Sequence, residues 1–187
     1  MDDLKQGNIS PKNVFTIAIS SGFNATPEPI GGSILTGIAW RQYECNKPPN
    51  IFRLLVLMAD DSNNKDQAVD VARELVGKNK IIGVIGPYSS HATYYVIDEY
   101  LKHLVFVSAT STATVEAYKS VDKDKSQDLS WFFRPVSTTK IGAEHLVKYL
   151  EKKGYQQLMI FYQDRDLFAL SFYQDFTKQL QQSSLKD

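Results

Sequence analysis

The sequence predicts an α/β fold built on a doubly wound parallel sheet. Two observations carry that expectation. From Val14 to Ser108, strand-length apolar runs alternate with longer helical patterns, the order that gives right-handed βαβ crossovers. The strand runs are also solidly apolar rather than alternating, as strands buried on both faces are.

The elements follow in order. Val14–Ser20, "VFTIAIS", reads as the first strand. Gly31–Asn46 reads as a helix with Ile34, Leu35, Ile38 and Ala39 on one face. Ile51–Ala59, "IFRLLVLMA", is the second strand. Asp66–Val76 places Ala68, Val71, Ala72, Leu75 and Val76 on the i, i+3, i+4 stripe of an amphipathic helix. Ile81–Gly86 is the third strand, Ala92–Leu101 the next helix with Tyr95, Val96 and Leu101 inward, and Leu104–Ser108 the fourth strand. Lys119–Asp128, "KSVDKDKSQD", is charged and turn-rich and marks a boundary or surface loop. Beyond it come a short extended "WFFRPV", a helix over Thr139–Lys153, a strand over Gln157–Tyr162, and a last helix with Ala169, Phe172, Tyr173, Phe176 and Leu180 on one stripe. One strand–helix pair cannot bury both faces of a sheet, so this second α/β unit is expected to be unfinished and the chain a fragment.

Composition narrows the function classes. The 187 residues are 43% hydrophobic, enough for a real core. Twenty-one basic and twenty-one acidic residues cancel, which argues against nucleic acid or an anionic membrane as partner. No apolar run approaches the about 20 residues that cross a bilayer. Cys45 is the one cysteine, so an internal disulfide is excluded while the compartment stays open. The polar, acidic "MDDLKQGNISPKN" is not a signal peptide.

In open parallel sheets, ligands sit beyond the carboxyl ends of the strands. Three loops there are rich in hydroxyls and small residues: Ser20–Gly32, Pro87–His91 ("PYSSH") and Ser108–Thr114 ("SATSTAT"). Helix N-termini beside them offer unpaired N–H groups suited to a carboxylate or phosphate. The first reading of Ser89 or Ser90 is a plain N-cap, and of "SATSTAT" a capped turn. Two such loops on consecutive strands favour a shared site. His91 reads as a partly exposed helix-start residue, and Trp40 and the aromatic stripe ending at Phe176 as packing. No His/Cys/Asp/Glu spacing suggests a metal, and no cofactor is expected.

Catalytic motifs are absent. There is no G-x-G-x-x-G after the first strand, no G-x-x-x-x-G-K-[ST] and no G-x-S-x-G elbow. Asp60-Asp61, at the tip of the second strand, could serve a ribose or a metal, but a turn-and-cap role comes first. An α/β enzyme using these carboxylates would lack a nucleophile–base pair and a phosphate loop.

Five segments in this order resemble a known family: "GGSILTGIAWRQYECN", "VLMADDSNNKDQAVDVARELV", "VIGPYSS", "VSATST" and "FFRPVSTTKIGAEHLVKYL". The chain is similar to the type I periplasmic binding fold, specifically the branched-chain amino-acid (Leu/Ile/Val) receptors among the solute-binding proteins of ABC transporters. The resemblance runs from about Phe15 to Leu180. It implies a first ligand-binding lobe over 14–118 and the start of a second, incomplete lobe over 129–187, closing on a small polar ligand such as an amino acid. It implies that Ser90, with Ser89 beside it, Thr110 through its backbone, and Thr112 through its hydroxyl, with Ser111 between them, hold that ligand. Where the family carries Tyr-Gly, this chain has Leu167-Phe168, and the tyrosine that packs on an amino-acid ligand is absent.

The expected function is therefore a receptor and not an enzyme: capture of a small polar solute for a membrane transporter permease, with lobe closure as the signal. A sensory domain fused to a signalling module such as a kinase is the alternative, and a homodimer is left open. The expected location is extracytoplasmic, periplasmic or cell-surface, with an export signal or anchor outside this segment.

Overall fold

A computed structural model describes residues 10–24, 30–125, 128–155 and 157–185. Residues 1–9 of the polar N-terminus, 25–29 of the loop after the first strand, Ser126 and Gln127 of the charged loop, Gln156 and the last two residues lie outside the described residues.

Five strands form one parallel sheet in the order β2-β1-β3-β4-β5. They are β1 (Val14–Ser21), β2 (Arg53–Asp60), β3 (Ile81–Ile85), β4 (Val105–Val107) and β5 (Phe132–Phe133). The helices are α1 (Ile30–Asn46), α2 (Lys65–Val76), α3 (Ser90–Leu101), α4 (Val115–Val121), α5 (Thr139–Lys153) and α6 (Leu167–Leu180). Strand order reverses between β1 and β3: the chain leaves β1 toward β2 and leaves β3 toward β4. That reversal is the switch point where α/β sheets open a crevice at their carboxyl ends.

The α/β expectation holds, and most boundaries agree within one or two residues. Several helix starts have a local cause. The Asn64 side chain accepts from the Asp66 and Gln67 amides at the start of α2. Thr114 caps α4 through the Ala117 amide, and Asp166 caps α6 through the Ala169 amide. Gly154 ends α5 in the left-handed region at φ 69°, open to glycine without penalty. The main core gathers Ala18, Val84, Val96, Ile97, Tyr100 and Phe106 between the sheet and its helices. A second, smaller core of Ala143, Val147 and Phe176 joins α5 to α6.

Four expectations are corrected. The second strand begins at Arg53, not Ile51, because its ladder to β1 starts at Val14↔Arg53, and Ile51 is left 75% exposed. Ala39 is exposed. Trp40 is 66% exposed, not packed, its nearest aromatic ring being Tyr43 at 6.2 Å. Two residues past the buried Ile38, Trp40 is turned about 200° around the helix, away from the sheet. The strand expected over 157–162 does not form. A strand is a paired object, and among the described residues no other strand lies beside this segment. Its side chains still alternate as a strand's would: Met159 and Phe161 are 81% and 86% exposed, while Leu158, Ile160 and Tyr162 lean toward α5 and α6 at about half that exposure. The Tyr162 ring stacks on Tyr173 of α6 at 3.9 Å.

The described residues of the charged segment are at the surface, as its composition requires, although α4 continues into it as far as Val121.

Candidate ligand-binding site

Gly86 ends β3 at φ +103°, and a Cβ there would lie 1.7 Å from the Ser20 carbonyl oxygen. Only glycine lets the two strand ends approach so closely at the switch point. The chain then turns through Pro87 and Tyr88 into α3. Ser89 is the helix N-cap, its Oγ accepting from the Ala92 amide at 3.1 Å, and its hydroxyl donates to Asn63 Oδ1 on the neighbouring loop. The cap reading of the "PYSSH" loop thus holds for Ser89.

Ser90 does something else. It is nearly fully buried, and its Oγ accepts from the amides of Thr112 at 3.3 Å and Ala113 at 3.2 Å and from the Ser111 hydroxyl at 3.3 Å. The two hydroxyl loops predicted to converge are joined through this side chain and through the bonds of Ser108 to the Pro87 carbonyl and of Thr110 to the Tyr88 carbonyl. Ser111 is also fully buried and pairs with the Tyr118 hydroxyl at 3.0 Å. Burial raises the Tyr118 phenol above its ordinary value, with the Ser111 bond acting in the opposite sense. Thr110 is exposed, and its hydroxyl donates to the Tyr88 carbonyl at 2.6 Å. Thr112 is half-buried at the rim.

Sequence reasoning missed three residues that hold this loop. Arg134, just past β5, donates through Nη1 to the carbonyls of Ser111 and Ala113. Burial lowers its pKa, offset in part by Tyr118 and Glu116, and its ring contact is Phe132 at 5.3 Å. The Thr139 amide donates to the Thr112 carbonyl at 2.9 Å. The Ser171 hydroxyl accepts from the Thr114 amide at 2.8 Å. With the Ser111 amide on Ser108 Oγ, the main-chain groups of Ser111, Thr112 and Ala113 and the Thr114 amide are all met by protein. What remains at the surface is the Thr112 hydroxyl, the Thr110 main chain and, from the otherwise buried first turn of α3, the partly exposed His91. The one sequence signal for Ser171 was a small polar residue between the stripe positions Ala169 and Phe172.

Asp60 and Asp61 take turn roles. Asp60 accepts from the Ser62 and Phe23 amides and from the Asn24 side chain. Asp61 is fully buried, accepting from the Ser20 hydroxyl at 2.8 Å and the Asn63 amide at 2.8 Å. They hold Ser62 and Asn63 in the left-handed region at φ 49° and 50°. Among the described residues no three His, Cys, Asp or Glu side chains cluster as metal ligands, and no helix is long and apolar enough to cross a membrane.

The family model of the periplasmic binding proteins matches residues 5–187. The chain belongs to the periplasmic binding protein family. Solved members carry the same fold at low identity. LivK, a leucine binding protein from Thermotoga maritima, superposes with a TM-score of 0.75 at 14% identity, over 90% of this chain and 46% of its own. An ABC transporter substrate-binding protein from Desulfitobacterium hafniense, in complex with Leu, gives 0.73 at 20% identity, over 90% of this chain and 48% of its own. A solute binding protein of an ABC transporter from R. palustris, in complex with 4-hydroxybenzoate, gives 0.73 at 17%, over 90% and 44%. No curated protein matches. This periplasmic binding protein chain spans slightly under half the length of those solved structures, and at these identities the likeness establishes a type I periplasmic binding fold.

Proposed function

We propose that the chain is a non-enzymatic, extracytoplasmic ligand-binding domain that captures a small polar solute, an amino acid or a similar carboxylate, for an ABC transporter. Residues 14–118 form the first lobe and 129–187 open the second. The observation that carries this reading is the Ser90 junction. It holds two hydroxyl-bearing loops side by side at consecutive strand ends, with Thr112 and Thr110 at the rim and the N-terminus of α3 alongside. Ser89, Ser90 and Ser111 form the floor of the site; Thr110 and Thr112 touch the solute. A carboxylate suits this arrangement, because the N-terminus of α3 beside it carries partial positive charge. Two solved relatives are in complex with Leu and with 4-hydroxybenzoate, both of which carry a carboxylate, and this supports the class.

The test is calorimetric titration with L-leucine, L-isoleucine, L-valine and 4-hydroxybenzoate, on wild type and on Thr112→Val. One of these solutes should bind saturably. A hydrogen bond to a charged group contributes about 1.5–3 kcal/mol, so Thr112→Val should weaken that solute about tenfold or more. Equal affinity in the variant would remove Thr112 from the site.

A further inference from the structure

The loop that carries Thr112 is gripped from far along the chain. Thr139 begins α5 and Ser171 lies in α6; they are 3% and 0% exposed. The Thr139 amide holds the Thr112 carbonyl, and Ser171 Oγ holds the Thr114 amide. The side chains continue the connection. Thr114 Oγ1 and Ser171 Oγ lie 3.1 Å apart, Ser171 Oγ and Thr139 Oγ1 2.7 Å apart, and Thr139 Oγ1 donates to Asp175 Oδ2 at 2.7 Å. The carboxylate can only accept, and each hydroxyl has one proton to give. Protons therefore run one way: Thr114 to Ser171, Ser171 to Thr139, Thr139 to Asp175. Three hydroxyls and a carboxylate join the loop after β4 to the starts and bodies of α5 and α6.

We propose that Ser171 is a positioning residue for the ligand loop, acting with Thr139 so that the conformation of Thr112 depends on the docking of α5 and α6. The proposal rests on the reading of the Thr112 loop as a ligand surface. The grip takes the carbonyl of Thr112 itself and the amide two residues on. A shift of α5 and α6 against the sheet moves both anchors together. Without these anchors the loop would keep its bonds to Ser90, Arg134, Ser108 and Tyr88, but the stretch from Thr112 to Thr114 would sample other conformations before any ligand arrived. Positioning therefore acts by preorganisation.

The experiment is residue-resolved amide hydrogen exchange on the unliganded protein, comparing wild type with Ser171→Ala, Thr139→Val and Thr139→Ser. The Thr139→Val variant keeps the amide bond to Thr112 and removes only the hydroxyl link, so it decides the question if Ser171→Ala does not fold. The amides of Thr112 and Ala113 are the informative probes, because their acceptor, Ser90 Oγ, is untouched in every variant. They should exchange about fivefold faster or more in Ser171→Ala and Thr139→Val, relative to the β1 and β3 amides. Thr139→Ser, which restores the hydroxyl, should return them toward wild type. Acceleration confined to Thr114, or equal across the whole sheet, would overturn the proposal, since the first is a lost local bond and the second a general loss of stability. The measurement needs no ligand. Failure of the solute titration would count against the proposed function and leave the exchange result standing.

Discussion

The Thr112 amide nitrogen lies 3.3 Å from Ser90 Oγ, and the same oxygen accepts from Ala113 at 3.2 Å. One buried hydroxyl thus takes two main-chain amides of the loop after β4 onto the loop after β3. In Ser90→Ala both amides lose their acceptor inside the protein. Each buried donor left unmet costs about 1–3 kcal/mol, so the variant should lose at least about 2 kcal/mol. Urea denaturation would show it as a lower midpoint at unchanged slope. A midpoint equal to wild type would mean that the loop re-bonds to water at no cost.

Gly86 should tolerate no side chain. In Gly86→Ala the new Cβ meets the Ser20 carbonyl at 1.7 Å, and the backbone sits at φ +103°. Both effects oppose the native state, and the variant should lose more than about 3 kcal/mol. Gly37 is the contrast: it lies within α1 with nothing inside 4 Å of an added Cβ. Gly37→Ala should stabilise by about 0.5–1 kcal/mol through helix propensity. Thermal unfolding of the two variants should move in opposite directions.

Asp61 gives stability a pH dependence of unusual sign. Burial raises its pKa, and the proximity of Asp60 adds to the rise, against the opposing hydrogen bonds from Asn63 and Ser20. The folded protein therefore binds a proton that the unfolded chain releases at about pH 4. The contribution of the neutral carboxyl is fully present below the unfolded value and is lost as pH rises through the folded one. Asp61→Asn keeps an acceptor for the Asn63 amide and removes the charge. Chemical denaturation from pH 4 to 8 should show the variant gaining on wild type as pH rises. A constant difference across that range would refute the assignment.

The 157–162 segment should make the protein adhesive. Met159 and Phe161 are 81% and 86% exposed beside an apolar groove of about 660 Å³, whose lining includes Leu146, Leu150, Phe172 and Phe176. Contiguous apolar surface of this kind binds hydrophobic dyes and promotes association. The double variant Met159→Lys/Phe161→Lys should bind less anilinonaphthalene sulfonate and remain soluble at higher concentration, with its unfolding midpoint little changed. Undiminished dye fluorescence would place the adhesive surface elsewhere.

The parallel sheet was legible in the sequence because its determinants are local. Apolar runs such as "VFTIAIS" and "IIGVI" are strand-length and uninterrupted, and the stripe of Ala68, Ala72 and Leu75 repeats at helical spacing. Caps at Asn64, Thr114 and Asp166, and Gly154 beyond α5, act within a few residues of themselves. The convergence of the loops after β3 and β4 was legible too, since consecutive parallel strands bring their carboxyl ends together. The run "QLMIFY" shows the limit of that logic. Its pattern is a strand's, yet a strand exists only where another backbone accepts its hydrogen bonds, and no periodicity encodes the partner. The exposure of Trp40 was hidden for a related reason, since helix rotation against the sheet is set by packing. Ser90 carried two readings that its residue type cannot separate, a helix cap or a ligand contact. The tertiary structure moved the cap to Ser89 and turned the Ser90 hydroxyl inward to the Thr112 loop. Arg134, Thr139 and Ser171 act on that loop from 21 to 57 residues away. Hydrogen bonds at such separation depend on how α5 and α6 dock, and only the folded chain brings those donors and acceptors within 3 Å or so of each other.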